Sequence, residues 1–340
     1  MQYREEAQAT QEHKQSYLNG IEYIINARQK EAEAIRDVYV KNIFTDASRY
    51  REDLKAMLGW PLIGHAAKAL PSVVTERLAQ EGMHTVYRMR FEILDGLWMS
   101  GLFFEAEGVE SKPLVLVQHG GLGTPELISG VYGSTANYNE MLQRVICHGV
   151  HAFAPQLLLW DEAYGVPFDR KAIDARLKRV GSSIAAVEIY GLTRILDYFE
   201  AQERVSSFGM VGLSYGGFYT LFTTAIDTRI RSSISCSFFN MRDQITWSDW
   251  TWQSSAQKFD DAEIACLIYP RKLCIGMGSA DELFDCQYSV KSFERLKALC
   301  KDVGVDWVKM LVFEGGHEFL KDDEPIKELL RDLSARQGQA

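Results

Sequence analysis

FGMVGLSYGGFYTLF, running from Phe208 to Phe222, decides how the rest of the chain is read. An apolar run climbs to Gly212-Leu213-Ser214-Tyr215-Gly216, and a helix-compatible run follows. This is a G-x-S-x-G sequence between a strand and a helix, the setting in which the motif carries meaning. A serine at the tip of so tight a turn sits in a strained backbone, and Gly212 and Gly216 remove Cβ atoms that would collide there. The turn holds the Ser214 hydroxyl away from the sheet, and the positive end of the following helix favours an anion beside it. The competing reading is a glycine-rich turn that only joins a strand to a helix. The surrounding chain has to choose between them.

The strand pattern extends outward on both sides. Residues 85–93 alternate, Asp95-Gly96 is a turn signal, and residues 97–105 resume as a strand, so a hairpin is predicted. Residues 113–118 form a continuous apolar run, as a strand buried on both faces does. Strands and helices then alternate: helix over 134–148, strand 150–156, helix 182–203, strand 207–211, helix 215–226, strand 231–239, strand 271–277, helix 288–299, strand 306–313 and helix 324–333. An antiparallel start followed by repeated β-α units predicts a mostly parallel, doubly wound α/β sheet. Residues 1 to about 60 read as helical, with Asp46 placed to cap a helix that stops at Gly59. The expected organisation is a helical N-terminal extension over 1–80 and a catalytic domain over 81–340. Residues 157–171 and 240–264 break the alternation. The second carries Trp247, Trp250 and Trp252, which suit either a packed loop or a lid and pocket wall at the C-terminal edge of the sheet.

If Ser214 is a nucleophile, it needs a base, and the base needs an acid to orient it. On this kind of sheet the chain order is Ser, then Asp or Glu, then His. Of seven histidines only His317 follows Ser214, in Phe313-Glu314-Gly315-Gly316-His317-Glu318-Phe319, directly after the last predicted strand. The acid should follow the preceding strand, where Gly278-Ser279-Ala280-Asp281-Glu282-Leu283-Phe284-Asp285 stands. Asp281 comes first after a flexible turn. Glu282 and Asp285 compete, Asp285 having a helix-capping reason to exist. An oxyanion needs two backbone donors. These are expected to be Tyr215, the residue after the nucleophile, and Gly121 in His119-Gly120-Gly121-Leu122-Gly123, with Gly120 or Leu122 as substitutes. His119 precedes the nucleophile and is read as a loop brace.

Composition narrows the partners. The 340-residue chain is 46% hydrophobic and 24% charged, ordinary for a globular protein with a large core. A formal net charge of −9 argues against nucleic acid or an anionic membrane as main partner. The first residues lack the apolar core of a signal peptide, and no run approaches the roughly 18 apolar residues of a membrane span, so a cytoplasmic location is expected. Six cysteines without C-x-x-C spacing are expected to be reduced thiols, and His148 and His151 have no third partner at metal-ligand spacing. Neither a dinucleotide fingerprint nor a phosphate loop is present.

With elbow, acid, base and oxyanion loop in this order, the chain over roughly residues 84–335 resembles the α/β-hydrolase superfamily. The Ser-Tyr-Gly-Gly elbow, the His-Gly-Gly loop, the Gly-Gly-His-Glu-Phe ending and Leu58-Gly59-Trp60-Pro61 are most similar to the acetyl xylan esterase and dienelactone hydrolase-related branches. The resemblance implies Ser214, Asp281 and His317 as a catalytic triad, Gly121 and Tyr215 as the oxyanion hole, and no metal or organic cofactor. It implies a serine esterase acting on a small-molecule ester, of acetyl type if the branch holds. Dienelactone hydrolases proper carry a cysteine nucleophile, so their lactone chemistry is not implied. The elbow is also similar to that of prolyl oligopeptidase-type peptidases, which keeps an amide or peptide substrate open, as it does a non-catalytic binding module on the same fold. The N-terminal helices offer a surface for a homo-oligomer.

Overall fold

The structure is a computed structural model that describes residues 4–60, 69–131, 134–160 and 167–335. Two helices lead: α1 (Ala7–Tyr39) and α2 (Ala47–Leu58). Gly59 ends α2 in the left-handed conformation, φ 89°, where a Cβ would also strike Ser182 and Gly181 backbone. Asp46 stands at the start of α2 but its side chain makes no capping bond.

An antiparallel ribbon follows: β1 (Val73–Glu81), β2 (His84–Leu94) and β3 (Leu97–Ala106). β1 falls inside the stretch read as a helical extension, so the sheet begins earlier than its pattern suggests. After β4 (Lys112–Gln118) come a short α3 (Pro125–Ile128) and α4 (Met141–Ile146), then β5 (His151–Pro155), α5 (Arg170–Arg179) and α6 (Ile184–Glu200). The remainder alternates: β6 (Val205–Leu213), α7 (Tyr215–Ile226), β7 (Ile230–Cys236), α8 (Asp261–Cys266), β8 (Lys272–Gly278), α9 (Cys286–Leu299), β9 (Val308–Phe313) and α10 (Glu324–Ser334).

Among the described residues nine strands form one sheet in the order β1-β2-β3-β5-β4-β6-β7-β8-β9. The pairs β1–β2, β2–β3 and β3–β5 are antiparallel and the other five are parallel. Alternate residues of each central strand feed two cores. Leu114, Leu116, Met210, Ile275 and Met277 face one layer with α2, α6, α7 and α8. Val115, Val117, Val211, Leu213 and Ile234 face the other with α4 and α10. That period-two division is why these strands read as continuous apolar runs. β6 lies near the middle of the sheet, and every residue of α7 behind it is buried, so the turn between them is held rigidly from both sides.

Candidate active site

Ser214 occupies that turn with φ 60° and ψ −120°, a conformation a non-glycine residue adopts only under constraint and at a cost of about 1–3 kcal/mol. Its N–H donates to Cys236 O at 2.9 Å, and its C=O accepts from Phe218 N at 2.9 Å, so strand β7 and helix α7 pin it. The flanking glycines are there for close approach. A Cβ on Gly212 would collide with Gly216 backbone, and one on Gly216 with the Gln118 carbonyl of β4. Ser214 is buried, 7% exposed, at the C-terminal edge of the parallel strands.

The loops after β8 and β9 meet at the same edge. His317 Nδ1 lies 3.1 and 3.0 Å from the two oxygens of Asp281. Asp281 Oδ1 also accepts from Leu283 N at 2.9 Å and Phe284 N at 3.0 Å. Burial raises the Asp281 pKa, but the bonds from His317 and the two amides outweigh it and hold the carboxyl below its usual range. An ionised acceptor requires the proton on His317 Nδ1, which leaves Nε2 as an acceptor; among the described residues Nε2 has no partner. Phe284 packs its ring 5.6 Å from the imidazole. No direct hydrogen bond joins the imidazole to Ser214 Oγ, a contact that often tightens only with substrate present. The two rival acids are occupied elsewhere. Asp285 caps α9 by accepting from Gln287 N at 2.9 Å, and Glu282 Oε2 receives the backbone N–H of His317 at 3.3 Å.

The loop after β4 runs beside the elbow. Gly120 N–H donates to the Tyr138 hydroxyl at 2.9 Å, and Leu122 N–H to Trp160 O at 3.0 Å. Among the described residues no hydrogen bond engages Gly121 N–H, and Tyr215 N–H, first in α7, has no intrahelical acceptor. A Cβ on Gly121 would lie 2.5 Å from the Trp160 ring, so a side chain there would have to displace that ring. His119 is buried; its Nε2 accepts from Leu157 N at 3.0 Å and its Nδ1 contacts Gly120 O at 2.9 Å, which ties the loop to the connection after β5.

Four supporting groups have no motif that announces them. Asn139 donates to Phe319 O at 2.6 Å and Glu318 Oε2 at 2.9 Å, and Asn137 donates to His317 O at 2.9 Å, so the loop before α4 staples the His317 loop. On the other flank Arg170 is buried and donates to Asp249 Oδ2 (2.8 Å), Glu188 Oε2 (3.1 Å), Tyr219 OH (2.7 Å) and Leu158 O (2.6 Å). Burial opposes its charge, but Glu188, Tyr219 and Asp249 keep its pKa well above the usual value. Asp249 Oδ2 also accepts from Tyr215 OH at 2.8 Å, and the guanidinium lies 5.2 Å over the Tyr215 ring. Burial, then the Asp249 charge, pushes the Tyr215 hydroxyl far above its usual pKa, so it stays a neutral donor. These bonds fix the residue whose N–H follows Ser214.

The two irregular segments divide by burial. Trp250 and Trp252 lie in the core, while Trp247 is half-buried, stacked 5.6 Å from Tyr215 and edge-on to Phe284 at 5.8 Å. With Leu283, Tyr288 and Asn240 it lines a cleft of about 210 Å³. From the other segment Trp160 stands edge-on to Tyr215 at 5.1 Å; residues 161–166 lie outside the described residues, as does Pro61. All six cysteines are free thiols, and no metal-binding cluster occurs among the described residues. No described helix is long and apolar enough to cross a membrane.

No family model matches the chain, and neither does any curated protein. Solved structures do. A glucuronoyl esterase from Solibacter usitatus superimposes with a TM-score of 0.61 at 13% identity, over 84% of this chain and 92% of that one. Acetyl xylan esterase 1 from Thermoanaerobacterium sp. JW/SL YS485 gives 0.57 at 13% identity, over 85% and 94%. The methylesterase BT1017 gives 0.64 at 15% identity, over 90% and 68%. With its strand order, its elbow and these likenesses, the chain has the α/β-hydrolase fold, in a form shared with carboxylic ester hydrolases.

Proposed function

We propose that this protein is a serine hydrolase of carboxylic esters that works through an acyl-serine intermediate. The observation that carries the reading is the Asp281–His317 pair, which commits Nδ1 as a donor and leaves Nε2 as a base at the sheet edge where strained Ser214 stands. Ser214 Oγ attacks the ester carbonyl carbon while His317 Nε2 takes its proton. The carbonyl oxygen becomes an oxyanion that Gly121 and Tyr215 N–H groups stabilise. The intermediate collapses, the C–O bond breaks, and His317 returns the proton to the leaving alcohol. Water then repeats the sequence on the acyl-serine.

The ester reading is favoured over the amide reading because the folds that superimpose are esterases by name, a likeness of shape that suggests rather than fixes the bond cleaved. A small acyl group suits the buried Ser214, whose neighbour Tyr215 carries Trp160 and Trp247 against its ring. Turnover of 4-nitrophenyl acetate and of the matching anilide tests both points. Ester turnover that vanishes in Ser214→Ala supports the proposal. Anilide turnover equal to ester turnover, or an unaffected Ser214→Ala variant, overturns it.

A further inference from the structure

Helix α1 is fastened at one end only. Arg36 donates to Ala256 O at 2.9 Å, Asp37 pairs with Arg295 at 2.6 Å, Tyr39 donates to Asp53 at 2.6 Å, and Ala32 is buried. Every residue from Thr10 to Arg28 is exposed. The exposed stretch from Ala7 to Arg28 is about 33 Å long at about 1.5 Å per residue; its first part overhangs the body, and Ile24, Ile25 and Arg28 line an open cleft of about 460 Å³ with Met241, Ile245 and Phe259.

This overhang is amphipathic. Tyr17, Leu18, Ile21, Ile24 and Ile25 fall within an arc of about 120° at about 100° per residue, and Glu12, Gln15, Asn19, Glu22 and Asn26 occupy the opposite side. The stripe is in line with Ala32 and Tyr39, the residues seated on the body, so the same face continues past the edge of the molecule. It is also left bare: Tyr17 is 74% exposed, Ile24 59% and Ile25 55%. A lone helix of this length is marginal in water, and Asn19, Gly20 and three isoleucines weaken it further. Its order calls for something against that stripe.

We propose that the stripe is covered by α1 of a second copy of this chain, packed antiparallel about a two-fold axis at Ile21. The apolar set is symmetric about that residue: Leu18 and Ile24 stand three places either side, Tyr17 and Ile25 four. An isologous antiparallel pair sets residue i against residue 42 − i, so Ile21 meets Ile21, Leu18 meets Ile24 and Tyr17 meets Ile25. Every residue of the stripe finds an apolar partner, the condition of a two-fold interface, while Tyr23 lies on the far side of the helix. Lys14 falls opposite Arg28, whose charge is already met by Glu31 of its own helix. A lipid surface fits less well, because the overhang carries Glu12 and Glu22 against Lys14 and Arg28, with no basic excess to draw it to anionic headgroups. Five side chains per copy, at roughly 60–100 Å² each, bury roughly 600–1,000 Å² in total, at the low end for a specific contact. An interface this small makes a weak, concentration-dependent dimer.

Sedimentation equilibrium of the full chain from about 1 to about 200 µM tests this, with far-UV circular dichroism as the check on folding. The mass is expected to rise from 38.6 kDa toward twice that value, and Ile21→Glu, which sets one carboxylate against its symmetry mate at the axis, weakens association at least about a hundredfold. Under mild oxidation Ile21→Cys forms a disulfide-linked dimer and Asn19→Cys, on the opposite side, does not. A monomer throughout the range, a dimer untouched by Ile21→Glu, equal crosslinking at both positions, or a monomer that instead binds vesicles of neutral or anionic lipid each overturns the proposal.

Discussion

Replacing Arg170 by methionine tests whether the buried ion network behind Tyr215 acts as a unit. Arg170, Glu188 and Asp249 are 5%, 3% and 1% exposed, and one guanidinium serves both carboxylates. Methionine fills most of the volume but leaves two carboxylates without the cation. Removing one member of a buried ion pair costs about 3–5 kcal/mol, a large share of the 5–15 kcal/mol that typically separates folded from unfolded chains. At about 2 °C per kcal/mol for a chain of this size, the melting temperature falls by about 6–10 °C. The deficit has a pH signature. A carboxylate stripped of its partner is relieved by protonation, so the folded variant binds more protons than its unfolded chain, and its stability gains as pH falls. Differential scanning calorimetry of both proteins from pH 8 to pH 5 therefore shows the gap narrowing on acidification. Ester turnover falls as well, because Tyr215 loses the Asp249–Arg170 clamp on its side chain. A gap under about 1 °C at neutral pH, or one that stays constant to pH 5, would refute the electrostatic account and leave only packing.

Other consequences follow from single contacts. Asp281→Asn loses the charge that orients His317, so kcat for a chromogenic ester drops by about 10⁴ while Asp285→Asn, at a helix cap, stays within a few-fold; the reverse pattern would move the acid. Gly121→Ala drives its Cβ into the Trp160 ring, which can tilt toward solvent, so kcat falls at least about tenfold with a melting temperature within about 3 °C of wild type; equal kcat would remove Gly121 from the oxyanion hole. Burial pushes the His151 pKa down to about 4, and its Nδ1 accepts from Ala106 N at 3.0 Å, so the ring is neutral in the fold. The unfolded chain binds that proton first, near pH 6.5. His151 therefore contributes stability above that pH which is lost between about 6.5 and 4, and a His151→Asn variant shows a flatter urea-midpoint profile over that window.

What the sequence discloses of this fold depends on how local its causes are. The central strands are buried on both faces, so β4, β6 and β8 read as apolar runs, and the elbow, a turn whose geometry is set within five residues, is spelled out by Gly212 to Gly216. Chain order singled out His317 but left Asp281, Glu282 and Asp285 as rival acids, and only the folded loop, with Nδ1 at 3.0 and 3.1 Å from Asp281, separates them. Strand β1 escaped because it pairs only with β2 at the sheet edge; nearly all of its residues are exposed, and VVTERLAQE carries no alternation for burial to impose. The Arg170 network escaped for a different reason. Its bonds join residues 18, 49 and 79 positions apart, and a single buried arginine looks like any surface arginine until the fold closes around it. Asn137 and Asn139 reach across 180 positions to the His317 loop, again with no local mark. Of the three tryptophans, burial rather than spacing separated Trp247, beside the cleft, from Trp250 and Trp252 beneath it.

Ser214 is the nucleophile of the proposed mechanism, and a fluorophosphonate addresses that residue directly. Intact-mass and peptide-mapping mass spectrometry after brief treatment should find one adduct, on the peptide containing Ser214, with ester turnover lost in proportion to labelling. Labelling should disappear in Ser214→Ala and slow by orders of magnitude in His317→Ala. Ester turnover that persists in fully labelled protein, or an adduct on any other residue, would contradict it.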